Sequence, residues 1–280
     1  MKTFSILLVL LCLGSGVAFL VWHAQAPARQ RATVLGLLDQ LQPFKTDRHE
    51  LAAAALRKLG TNSLPLLLEL VRTNDFGRFQ ESTKNTRNDR SLMETHLAIE
   101  KGYRQAVRAF AALGPIARPA VAALSEMLQK RETAGAAARS LAEIGPEAWT
   151  PLTNALASED LRIRGAAASS LGYLQGHARL AAPRLAAVLK DPEIAVRYGA
   201  ADSLSRMGKD AAVAAVALCD CLQDPDADVR EKAAKALGRV GSEAKMAVPA
   251  LVKATSDADK EVREAARRAL ALINSKAAAN

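Results

Sequence analysis

The chain has 280 residues, of which 50% are apolar, 24% charged and 4% aromatic, and its formal net charge is +9. That apolar share is too high for a disordered polymer, while three cysteines are too few for a disulfide framework. The basic balance favours acidic partners weakly, and the shortage of aromatic rings argues against a nucleic-acid reader, which needs stacking platforms.

Met1-Lys2 is followed by an apolar run from Phe4 to Trp22 and then by Ala24-Gln25-Ala26, an A-x-A cleavage pattern. Residues 1–26 are therefore read as a signal peptide or as an uncleaved anchor. The second reading rests on Pro27, which stands directly after the A-x-A, and on the apolar run over residues 4–22, which approaches bilayer length. Both place the remainder outside the cytoplasm, periplasmic or secreted, with membrane contact only through this segment.

Val34, Leu37, Leu38 and Leu41 form an i, i+3, i+4, i+7 stripe, which predicts a capping helix from near Gln30 to before Pro43. A first repeat is expected from Asp47 to Arg72. Beyond it the spacing stretches: Gly60 to Gly114 is 54 residues, whereas Gly114 to Gly145 is 31. The excess is an insertion at about 73–100 whose polar half holds Phe76, Arg78 and Phe79. Insertions in repeat arrays map to loops on one face, often the binding face, so these three residues are candidate partner contacts; the other reading is a packing element that plugs a neighbouring groove. Ser91–Leu113 is expected as one long helix.

The second half of the chain echoes itself every 33 residues. Val196, Ala200, Leu204 and Met207 recur as Val229, Ala233, Leu237 and Val240, as Val262, Ala266, Leu270 and Ile273, and one period earlier as Ile163, Ala167, Leu171 and Leu174. Steps of four, four and three keep one face of a helix, so each copy is a helix with one apolar stripe. Asp191-Pro192 and Asp224-Pro225 read as an N-cap acceptor with proline at the first helical position. Gly114, Gly145, Gly208 and Gly241 supply the turn after the stripe. A second helix follows, with proline at a repeated place, Pro65, Pro119, Pro151, Pro183 and Pro249, expected in a first turn or shared bend. Positions one and four after that proline should face away from the core, which makes Arg184 and Lys253 candidate contacts along a concave wall suited to a peptide or a partner helix.

Asp191 with Arg197, Asp224 with Arg230 and Asp257 with Arg263 keep one spacing, predicting a structural ladder of opposite charges between neighbouring units. Arg267 replaces the alanine at 168, 201 and 234, as a terminal repeat with a wet outer face requires. Residues 274–280 read as a disordered tail. Cys219 and Cys221 lie two apart on a helix and point to different sides, so they are packing residues. His49-Glu50 is a lone His-Glu dipeptide where a paired iron site wants more, and no phosphate loop, nucleophile elbow or HExxH occurs. Neither metal nor cofactor is expected.

The unit D-x-x-x-x-V-R-x-x-A-A-x-x-L, a glycine turn, then A-x-x-P-x-L resembles the HEAT repeat, in particular the short HEAT-like form named after phycobilisome lyases. The resemblance covers about residues 47–273 and implies an all-α, right-handed solenoid of about six two-helix repeats. With the capping helix, the solenoid is taken as residues 30–273. Function is read as a non-catalytic protein–protein interaction scaffold with a protein or peptide partner; the alternative is a lyase-like enzyme or accessory subunit on the same repeat.

Overall fold

The computed structural model describes residues 15–41, 47–72, 90–174 and 178–277, with side chains over 28–41, 47–72, 101–174 and 179–274. Helix α1 (Ser15–Gln40) leads. First and second helices then alternate: α2 (Asp47–Leu59) with α3 (Leu64–Arg72), α4 (Arg90–Leu113) with α5 (Val121–Leu128), and α6 (Ala134–Ile144) with α7 (Trp149–Ala155). The series continues as α8 (Leu161–Leu171) with α9 (Ala178–Val188), α10 (Ile194–Met207) with α11 (Ala215–Cys221), and α12 (Ala227–Val240) with α13 (Val248–Ala254). An unpaired α14 (Lys260–Ala277) closes the array and runs past Ile273, where the sequence pattern stops. Each first helix packs on the first helices before and after it, so the molecule is an α-solenoid in which every unit buries its stripe against neighbours.

The stripes are the core. Ile163, Val196, Val229 and Val262, and the alanines and leucines that follow them at fixed steps, are buried except for the half-buried Leu270 of the last copy, and so are Phe110 of α4 and Leu56 of α2. Alanine dominates because the first helices run unusually close together. A Cβ added to Gly172 would lie 2.6 Å from the Ser203 Cα, and one added to Gly238 would lie 2.8 Å from the Ala269 Cα. At that contact the Ser203 hydroxyl donates to the Ala168 carbonyl at 2.5 Å and accepts the Gly172 N–H at 3.0 Å, so two backbones are pinned by one small side chain.

The turns explain why the second helices are short. Gly60, Gly114, Gly145, Gly208 and Gly241 all have positive φ, between 52° and 119°, which reverses the chain at the ends of α2, α4, α6, α10 and α12, whereas α8 ends on Gly172 at φ −66°. Tight 3₁₀ turns then follow over Gly60–Ser63, Gly114–Ala120, Pro146–Ala148, Gly208–Ala214 and Gly241–Ala247. Pro65, Pro119, Pro151 and Pro249 stand where this turn passes into α-helix, so the expected first-turn placement holds; Pro183 differs in lying inside α9. The proline cannot donate there, and the start of a helix asks for no donor.

The N-cap expectation is corrected. Helix α10 starts at Ile194 and α12 at Ala227, three residues beyond Asp191 and Asp224, so neither aspartate is the N-cap and neither following proline is the first helical residue. Each aspartate instead accepts the N–H two residues on, Glu193 to Asp191 at 2.9 Å and Asp226 to Asp224 at 2.9 Å, closing an Asx turn ahead of the helix. Asp226 is the actual cap of α12, accepting from the Val229 N–H at 3.1 Å.

The predicted capping stripe is in place at the C-terminal end of α1, where Val34, Leu38 and Leu41 are buried. Arg31 grips Glu69 of α3 through both Nη atoms, at 2.6 and 2.9 Å, and Arg108 of α4 donates to the Leu41 carbonyl at 2.9 Å. Ser91–Leu113 is the expected single long helix, α4. Among the described residues, Lys101–Leu128 is long and apolar enough to cross a membrane, but it bends at Gly114 and its Phe110, Leu124 and Leu128 are wholly buried in the stack.

Candidate binding face

The predicted charge ladder is present with its pairing shifted by one repeat. Arg164 chelates Asp191 at 2.8 and 3.1 Å, Arg197 chelates Asp224 at 2.7 and 3.0 Å, and Arg230 chelates Asp257 at 2.9 and 2.9 Å, each through Nε and Nη2. The aspartate of the same repeat is held differently: Arg197 Nη1 donates to the Asp191 and Pro192 carbonyls, both at 3.0 Å. Arg164, Arg197 and Arg230 therefore each tie the head of their own repeat to the carboxylate of the next. The Arg230 guanidinium holds Asp257 below the ordinary carboxylate range. At Asp191 burial pushes the other way, yet Arg164 and the Glu193 N–H leave the net shift downward. Arg164 belongs to the ladder although the sequence pattern did not single it out. Arg263 has the same carbonyl contacts and no carboxylate among the described residues.

Of the sequence-derived contact residues, Phe76, Arg78 and Phe79 lie outside the described residues. Arg184 and Lys253 are exposed on α9 and α13, as expected for positions facing away from the core, and the Lys253 ammonium reaches Gln223 Oε1 at 3.4 Å. They are separate surface groups on non-adjacent second helices. Cys221 is buried with its thiol against the Leu189 carbonyl, and burial pushes that thiol up to about 11. Cys219 instead meets Met246, sulfur to sulfur at 3.7 Å. Among the described residues no three His, Cys, Asp or Glu side chains converge as a metal would need.

The structure assembles a different surface, on the first helices. All three tyrosines of the chain, Tyr103, Tyr173 and Tyr198, stand there. Tyr173, just past the end of α8, is met by two guanidinium groups from the flanking helices, Arg139 of α6 with its carbon 3.0 Å from the ring centroid and Arg206 of α10 at 4.3 Å. Arg139 also pairs with Glu143 at 2.7 Å, and Arg206 with Asp202 at 2.9 Å. Asp202 in turn binds Lys232 of α12 at 2.7 Å, and Lys232 lies 5.1 Å from the Tyr198 ring. Burial raises the Tyr103 hydroxyl and the Glu143 carboxyl, the latter against the pull of Arg139; at Asp202 burial is outweighed by Lys232 and Arg206, so its carboxyl is lowered. Cations over aromatic faces contribute roughly 0.5–2 kcal/mol each, depending on desolvation.

Next to this row opens a groove of about 640 Å³ lined by His49, Glu50 and Arg57 of α2, Arg108 of α4, Glu143 of α6 and Tyr173. Its floor is small: Ala53, Ala111, Ala112 and Ala142, with Gly114 and Gly145 at the turns. Arg57 leans across to the Ala112 carbonyl at 3.1 Å. The groove thus offers close backbone approach flanked by guanidinium, carboxylate and phenol groups. Neither the buried stripe nor the second helices mark this face in the sequence. The available signal was the placement of the tyrosines: Tyr173 occupies the register of Arg206 and Arg239, one and two periods on.

A family model for HEAT repeats matches residues 149–218 and 215–280. Residues 149–280 therefore carry HEAT repeats. No curated protein matches the chain. Among solved structures, the karyopherin Kap121p bound to the extreme C-terminus of the protein phosphatase Cdc14p has a TM-score of 0.59 at 15% identity, covering 90% of this chain and 30% of that one. The phycocyanin lyase CpcE–CpcF complex from Nostoc sp. PCC7120 has a TM-score of 0.46 at 20% identity, covering 54% of this chain and 98% of that one. A designed armadillo repeat protein in complex with the peptide (KR)4 has a TM-score of 0.43 at 16% identity, covering 85% and 98%. The first of these likenesses is one of fold, and the chain spans under a third of that karyopherin.

Proposed function

We propose that this protein is a non-catalytic interaction scaffold that holds a peptide or protein segment along its first-helix face. The observation that carries the reading is the row Tyr103, Arg139, Tyr173, Arg206 and Tyr198 beside the open groove at Arg57 and Arg108. Tyrosine and arginine are the residues that interfaces concentrate, because each offers a large rigid contact with a polar tip. The carboxylates in the row already have cation partners, so their charge serves register and orientation in preference to proton transfer. Kap121p, which shares the fold, is bound to the extreme C-terminus of the protein phosphatase Cdc14p, a property of that protein that motivates a segment as the partner here. The proposal includes export or tethering by residues 1–26, supported by the apolar run and the A-x-A pattern.

The test is affinity capture on the full chain with a C-terminal tag, with the N-terminus of the recovered protein sequenced and binding repeated with Arg108→Glu and Tyr173→Ala. A partner recovered outside the cytoplasm by the parent protein and lost with both variants, at unchanged helix content, supports the reading. Capture that survives both variants removes this face from the function, and an intact N-terminus on cytosolic protein removes the export.

A further inference from the structure

Among the described residues four ladder arginines, Arg164, Arg197, Arg230 and Arg263, face three ladder aspartates, Asp191, Asp224 and Asp257. Arg164, Arg197 and Arg230 each fix Nη1 on two main-chain carbonyls and present Nε and Nη2 to the aspartate of the next repeat. Arg263 repeats the first half of this arrangement, with Nη1 donating to the Asp257 and Ala258 carbonyls, both at 2.8 Å. Its Nε and Nη2 meet no carboxylate among the described residues. One turn along α14, Arg267 is exposed where Ala168, Ala201 and Ala234 are wholly buried under the next first helix. That substitution makes the outer edge of α14 a charged face in place of another packing surface. Glu264 does not neutralise either arginine, since it is shared by Lys260 at 3.8 Å and Arg268 at 3.1 Å.

We propose that the outer edge of α14 is a docking site for a partner protein segment that presents an aspartate at the head of a helix, gripped by both free donors of Arg263 with Arg267 alongside. The occupant's chemistry is read from the ladder itself. In the internal copies the gripped carboxylate belongs to an aspartate whose second role is to accept the N–H two residues on, as Asp191, Asp224 and Asp257 do from Glu193, Asp226 and Asp259. Arg263 is preorganised for such a group because its guanidinium is held on one side already, so binding has less side-chain freedom to remove. A planar fork also selects a carboxylate over a point anion. The site stands on other residues than the tyrosine groove and fails or survives separately from it.

The probe is a fluorescein-labelled synthetic peptide of residues 222–233, the chain's own Asp224 turn and the helix start behind it, titrated into the full chain at low salt. We expect saturable binding that weakens at least about tenfold with a peptide carrying Asp224→Asn, and by a similar factor with Arg263→Gln protein. Arg267→Ala restores the residue of the other repeats, so it keeps the fold secure and weakens binding less. If Arg263→Gln lowers helix content, Arg263→Lys decides, because it keeps the charge and loses the fork. Equal binding by the two peptides, or by parent and Arg263→Lys protein, overturns the proposal. Displacement of the peptide by succinate at equal concentration also overturns it, since the site would then be a simple anion site.

Discussion

Replacing Arg197 by methionine isolates what one rung of the ladder contributes. The side chains of Arg197 and Asp224 are 12% and 7% exposed, so the pair is largely out of water, and the arginine makes two bonds to the carboxylate and two to carbonyls. Methionine keeps most of the stem packing and leaves the Asp224 carboxylate with the Asp226 N–H as its remaining donor among the described residues. Removing one member of a buried pair costs about 3–5 kcal/mol, and the residual exposure here argues for the lower end, about 3 kcal/mol. The matched control is Lys190→Met: Lys190 and Asp220 stand 3.5 Å apart with side chains 74% and 60% exposed, so that pair is worth about 0–1 kcal/mol. Chemical denaturation of the two variants, followed by helical circular dichroism, gives the comparison. Because neighbouring repeats stabilise one another, Arg197→Met should also make the transition less cooperative, splitting the array between α10 and α12. If the two variants agree within about 0.5 kcal/mol, the ladder is a surface ornament and the argument that it welds the repeats fails.

Acid should act through the same rungs. Asp191 and Asp257 have lowered folded values, so their contribution is complete above the unfolded carboxylate value of about 4 and is lost as pH falls through the folded values. The melting temperature should therefore be level near neutrality and drop below about pH 4, with a shallower drop in Asp257→Asn. Gly172→Ala drives a methyl to 2.6 Å from the Ser203 Cα and should cost about 1–3 kcal/mol, whereas Gly36→Ala in α1 meets nothing within 4 Å and should gain about 0.5–1 kcal/mol; thermal melts of both test the close approach of the first helices. Tyr173→Leu removes the ring between Arg139 and Arg206 and should cost about 1–2 kcal/mol, with loss of the coupling between those arginines in a double-mutant cycle. Native alkylation at pH 8, read by peptide mass mapping, should modify Cys219 well before Cys221, whose thiol sits at about 11 behind the Leu189 carbonyl; equal rates would contradict its burial.

The fold was legible because its cause is periodic. A stripe that recurs every 33 residues can be buried only by another copy of itself, so the stacking of Val196, Val229 and Val262 follows from the spacing alone. Glycine turns were readable for a related reason: five chain reversals ask for positive φ, and glycine is the residue that adopts it cheaply. The ladder was half legible. Regular Asp-to-Arg spacing announced a repeated electrostatic contact, but a six-residue separation within one repeat looks like a pair in sequence, and only the stacking shows that the arginine turns to the carboxylate 27 residues later. The Asx turns were misplaced for want of the same information. Asp191 and Asp224 precede proline, which in sequence marks a cap, while in the stack their carboxylates face the ladder arginines and the N–H groups two residues on.

The binding face was the least legible part because its residues obey no single register. Tyr103, Tyr173 and Tyr198 come from three different repeats at three different offsets, and what unites them is the lateral spacing of first helices brought close by Gly172, Gly199 and Ser203. That close approach sets the distance at which Arg139 and Arg206 can both reach Tyr173. A larger residue at Gly172 would therefore act twice, straining the helix contact and spreading the aromatic row, so Gly172→Ala should weaken partner capture by more than its loss of stability accounts for. Partner binding measured well below the melting transition separates the two effects. Capture equal to the parent's would show that the row does not depend on helix spacing, and the link drawn here between small core residues and the binding face would be broken.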